Sequence, residues 1–184
     1  VGPSAIGFYR CLIGALILLP FVWCNPYRQM SRRTLVFLIL GGFAFAMDLT
    51  FWHRSIHIVG VGLGTLLAVT QAFYLTLFGV FFLGEKFGSG RMAQLFFAIV
   101  GIGLLVDVNS ELALQEIHYS WGIFCGLLTG FFYAAYILFM RQAEKGVSRI
   151  KSPAKIGLVS AFACPFLLIS TFAGGEQLVP VGVD

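Results

Sequence analysis

An aspartate at position 48 stands in a long apolar run, and Trp52 and Ser55 follow it at i+4 and i+7. On a helix that spacing puts all three along one face. A carboxylate beside an indole and a hydroxyl can form a polar site with an aromatic wall, able to meet a substrate group or a proton. Gln71 and Tyr74, three residues apart in the next apolar run, can join such a site, and Arg10 in an earlier run is the natural counter-ion. His53 and His57 make an HxxxH pair, which membrane di-metal enzymes use. Such sites need many more ligands, however, and the only other histidine is His118. Nucleophile-elbow, HExxH and phosphate-loop patterns are absent from the sequence. No catalytic residue, metal or cofactor is therefore expected, and the chain does not read as an enzyme.

What must hold these residues is set by composition. The chain is 59% hydrophobic and 11% charged, with a mean hydropathy of +0.91, far more apolar than a soluble domain. Six apolar runs are expected to form helices over 4–24, 34–57, 61–83, 90–107, 120–140 and 154–174. They are long enough to cross a hydrocarbon core of about 30 Å. The fold class expected is an all-α transmembrane bundle, since lipid offers no partner to an open strand edge. Ten of the twelve basic residues fall in three alternate loops near 25–33, 84–91 and 141–155, while the other loops hold no lysine or arginine. The positive-inside rule puts the basic loops in the cytoplasm.

The thirteen uncharged residues from Leu35 to Met47 span about 20 Å of helix, too little to cross alone, so Asp48 falls within the bilayer. A carboxylate there costs about 2.5–3.5 kcal/mol on insertion scales and needs a partner. Arg10 lies roughly 10 Å below the outer end of its helix, a compatible depth. The pair reads either as a fixed ion pair joining two helices or as one that opens during a transport cycle. His53 and Arg54 point away from this face, nearer the surface.

Gly122, Gly126, Gly130 and Ala134 recur every fourth residue, a smooth ridge that lets another helix approach closely. Gly60, Gly62 and Gly64 read equally as hinge or packing positions. The four cysteines, Cys11, Cys24, Cys125 and Cys164, lie in or beside apolar runs without CxxC spacing and read as small packing residues. PSAIG at residues 3–7 recurs as PAKIG at 153–157, on opposite sides of the membrane by the charge rule, as inverted repeats require. The first run is not followed by a cleavage site and does not read as a signal peptide. The start on Val1 and the ending in GGEQLVPVGVD suggest an internal fragment. The sequence pI of about 9.0 reflects basic residues scattered over short loops, so nucleic acid is not an expected partner.

In order and spacing these motifs resemble the EamA branch of the drug/metabolite transporter superfamily, ten-helix carriers made of two five-helix repeats. PSAIGFYRCLIGALIL resembles that family's second helix with its embedded arginine, and DLTFWHRSIHIVGVGLGTLLA the join of its third and fourth. FFLGEK resembles the Gly-Glu close of the fourth helix, and GIGLLV the glycine pattern of the fifth. The resemblance implies residues 1–107 as a first repeat lacking its first helix, 108–119 as an outer loop, and 120–184 as the start of a second repeat. Ala72 stands where many members carry proline, so a kink in that helix cannot be argued from it. Glu85 at the cytoplasmic edge is expected to have a gating or structural role.

The function expected is secondary transport of small metabolites or drugs by alternating access, with efflux the direction the resemblance implies. The alternative is a channel or a structural membrane subunit. Expected substrate-binding residues are Arg10, Asp48, Trp52, Ser55, Gln71 and Tyr74. Expected partners are a small-molecule substrate, the lipid bilayer, a coupled proton and a second copy of the chain in a homodimer. The expected location is the bacterial inner membrane.

Overall fold

A computed structural model of the chain describes residues 2–23, 30–83, 116–145 and 152–176, with Leu178 and scattered positions between 88 and 103. Every extended element among them is a helix. These are α1 (Pro3–Trp23), α2 (Arg32–Val59), α3 (Val61–Ala68), α4 (Gln71–Leu83), α5 (Glu116–Lys145) and α6 (Ser152–Ala173). Segments Arg32–Val59, Val61–Phe81, His118–Lys145 and Pro153–Ala173 are long and apolar enough to cross a membrane. Of the expected span 90–107 only positions such as Phe96, Phe97 and Gly101 are described, and these are helical.

The helices begin and end for local reasons. Ser31 caps α2, its hydroxyl accepting from the Arg33 N–H at 3.3 Å. Gly60, with φ of 88°, alone separates α2 from α3, a conformation that L side chains resist. α5 outruns the expected 120–140 at both ends because the apolar window marks the lipid crossing, whereas Arg141 to Lys145 are good helix formers that continue it into a polar turn. Lys145 in the last turn also suits the helix dipole.

The expected span 61–83 is two helices. Val69 and Thr70 turn between them, with the Thr70 and Phe73 N–H groups bonded three residues back, to Leu67 and Thr70 carbonyls, at 3.1 and 2.9 Å. The Thr70 hydroxyl adds a bond to the Leu67 carbonyl at 2.6 Å. The break thus occurs with an alanine, Ala72, and no proline beside it.

The chain divides into two compact units, Val1–Thr50 with Ala135–Asp184, and Phe51–Ala134. In the first, Leu38 of α2, Ala143 of α5 and Val159 of α6 form a buried centre, ringed by Phe37, Phe45, Tyr136, Met140 and Phe162. Gly42 lets α2 and α6 touch: a Cβ there would lie 3.1 Å from the Ala163 backbone nitrogen. In lipid such close backbone approach, rather than the hydrophobic effect, holds helices together. Alongside, α6 packs antiparallel to α1, as pairing of Ser4 with Ser170 and of Leu18 with Gly157 requires.

In the second unit the α5 ridge receives the chain. Gly122 faces Ile58 and Val59, Gly126 faces Leu67 and Ser55, and Gly130 faces Thr70 and Gln71. Added Cβ atoms at Gly122 and Gly126 would each come within 2.6 Å of a neighbour. Gly64 packs on the backbone of Ile56, whereas nothing lies within 4 Å of a Cβ at Gly62. The three glycines around position 62 therefore divide into a turn, an open position and a packing contact.

Candidate functional site

Asp48 lies in the first unit, on α2, and is only 6% exposed. Arg10, its expected counter-ion, stands on α1 at a position that is exposed in the chain. Nearby hydroxyls are internally satisfied: Thr50, two residues on, donates to the Ala46 carbonyl at 2.9 Å. A buried carboxylate with a cation on a neighbouring helix can hold a substrate amine, pass a proton, or stay locked to its partner.

Other expected site residues lie in the second unit. Ser55 is fully buried under Gly126, and its hydroxyl has no hydrogen-bond partner among the described residues. Such a group costs free energy unless something satisfies it. Gln71 opens α4 directly after the break, with its backbone nitrogen against Gly130. Tyr74, one turn on, meets Phe131 edge-on at 5.7 Å. Ser55, Gln71 and Tyr74 are thus brought to successive positions along one stretch of α5. Trp52 is half-buried and stands edge-on to His53 at 5.0 Å. Glu85 lies outside the described residues.

A second polar cluster, in the first unit, escaped the sequence reading. The Glu176 carboxylate accepts from the Ser4 backbone N–H at 2.7 Å and from the Ser4 hydroxyl at 3.1 Å. Ser4 also meets Ser170 at 3.4 Å, and Ser170 accepts from Thr50 at 3.4 Å. Tyr9 donates to the Leu178 carbonyl at 3.1 Å. One signal pointed this way: α1 has no acidic residue in its first turn, so its free N–H groups needed an acceptor from elsewhere.

Residues 1–107 match a family described as EamA-like transporters. That is more than half of the 184 residues. No curated protein and no solved structure matches the chain.

Proposed function

We propose, from the premise that this chain belongs to the EamA-like transporter family, that it is a secondary transporter exporting a small metabolite or xenobiotic by alternating access. Family membership and the apolar helices make it an integral membrane protein of the drug/metabolite transporter superfamily. The observation that carries the finer reading is Asp48, 6% exposed within an apolar membrane-length helix. Ionisable residues in such places are costly, and substrate and proton pathways are where they are kept. In this reading Arg10 and Asp48 open from each other to bind substrate or to couple a proton, and Trp52, Ser55, Gln71 and Tyr74 are proposed as substrate-binding residues. Ser55's unsatisfied hydroxyl supports its place among them.

The wider architecture proposed is two five-helix inverted repeats in a bacterial inner membrane, with the basic loops in the cytoplasm and Glu85 at a cytoplasmic gate. Support comes from α1 and α6, which open on PSAIG and PAKIG and pack antiparallel. A homodimer belongs to the same proposal.

The test is counterflow in proteoliposomes of the full-length protein. Metabolite profiles of overexpressing and deleted cells supply the compound. Labelled compound is expected to accumulate against its own unlabelled pool, and to do so faster with an imposed proton gradient. Ion conductance without counterflow would establish a channel instead.

A further inference from the structure

The end of α6 is built to hold one carboxylate still. Gly175 follows the helix with φ of 63°, and the Glu176 N–H reaches back to the Thr171 carbonyl at 3.0 Å, which together form a Schellman cap. The Glu176 side chain then caps a different helix, taking the Ser4 N–H at 2.7 Å and the Ser4 hydroxyl at 3.1 Å. One residue therefore joins the C-terminus of α6 to the N-terminus of α1, where the helix dipole favours an anion.

The hydrogen bonds run in one direction. Ser4's hydroxyl proton is committed to Glu176, so in the 3.4 Å contact Ser170 donates to Ser4. Thr50 in turn shares its proton between the Ala46 carbonyl and Ser170. The line Thr50, Ser170, Ser4, Glu176 thus crosses from α2 through α6 to α1 and ends on the carboxylate, while Thr50's shorter bond stays on its own helix. Hydrogen bonds in such a chain polarise one another. Ser4 is fully buried and Thr50 nearly so, so water competes poorly for these groups. Tyr9, bonded to the Leu178 carbonyl, ties down the chain just past Glu176.

We propose that Glu176, Ser4, Ser170 and Thr50 form a latch closing one end of the α1–α6 seam, and that it opens and reforms once per transport cycle. This rests on the transporter reading, whose charge pattern places that end outside the cell. Below the latch on the same face of α1 lies Cys11, seven residues or about 10 Å from Ser4 and 2% exposed. Opening the latch gives outside water a route to that thiol.

The experiment uses full-length protein in which every cysteine except Cys11 is replaced by serine, treated from outside with a membrane-impermeant methanethiosulfonate reagent. Cys11 is expected to react slowly. Glu176→Ala is expected to raise its rate at least tenfold, with smaller increases for Ser4→Ala and Thr50→Val, which each remove one link and are milder for folding. In a second arm, Ser4→Cys with Glu176→Cys in a protein lacking other cysteines is oxidised with copper phenanthroline. The cross-link is expected to abolish counterflow, and reduction to restore it. The latch is overturned if Cys11 reacts equally in all four proteins, or if the cross-linked protein transports at the uncross-linked rate. Since labelling needs no substrate, absence of counterflow in every protein would count against the transporter reading alone, and the Cys11 rates would still decide whether the latch exists.

Discussion

Helices meet in two different ways in this chain. At the α1–α6 seam of the first unit, a carboxylate and two serine hydroxyls tie the helix ends together, with Thr50 of α2 bonded to one of them. Along α5 in the second unit, Gly122, Gly126 and Gly130 meet side chains and backbone with no room for a methyl group. A glycine contact is held by shape and gives way only if a backbone moves. A hydrogen-bonded contact can be exchanged for water or substrate at small net cost, because each bond broken is replaced by another. The first kind suits a fixed joint and the second a joint that opens.

Substitution separates the two. The largest effect is expected for Gly130→Leu, whose side chain would collide with Thr70 and with the Gln71 backbone nitrogen, 2.9 Å from an added Cβ. Overpacking against backbone should cost about 3 kcal/mol, seen as a lowered Tm of the purified protein. Next is Gly126→Ala, facing the Leu67 Cβ at 2.6 Å, with about 2 kcal/mol expected from the same measurement. Wild-type Tm in both would remove the fixed joint from the comparison.

Gly175→Ala tests the polar joint through its backbone. An L side chain at φ of 63° costs about 1 kcal/mol, and a displaced Glu176 should speed labelling of Cys11 by more than that small loss of stability explains. Unchanged labelling would show that the cap does not position the carboxylate. The smallest effect, of opposite sign, is expected for Gly62→Ala. With nothing within 4 Å of the new methyl, removing a helical glycine should stabilise by about 0.5–1 kcal/mol. A loss there would mean that this position, too, needs space.

The fold was legible where burial follows composition. Apolar runs located α1, α2, α5 and α6 to within a few residues, and the apolar run around Asp48 already required that the carboxylate be turned inward, as its 6% exposure now records. The ridge on α5 was visible because a four-residue glycine period has a direct geometric meaning. The break at Val69–Thr70 was not, since no proline or glycine announces it in the sequence; a threonine hydroxyl turns back on the chain there, and Gly130, sixty residues away, faces it. Nor was the latch: Ser4 and Glu176 are separated by 172 positions, and Glu176 read only as an acidic residue in a tail. Pairings of that range are set by which helices become neighbours, which local pattern does not encode. Arg10 differs again: its charge made it the natural counter-ion on the sequence, while its exposure on α1 could not be read there.

The most direct test is the counterflow rate of Asp48→Asn, an isosteric change that removes the charge buried in α2. With Gly62→Ala as a folded control at wild-type rate, Asp48→Asn is expected to transport at least tenfold more slowly and to lose its response to a proton gradient. Transport at the wild-type rate with an unchanged gradient response would contradict a central role for Asp48 and leave it a fixed partner of Arg10.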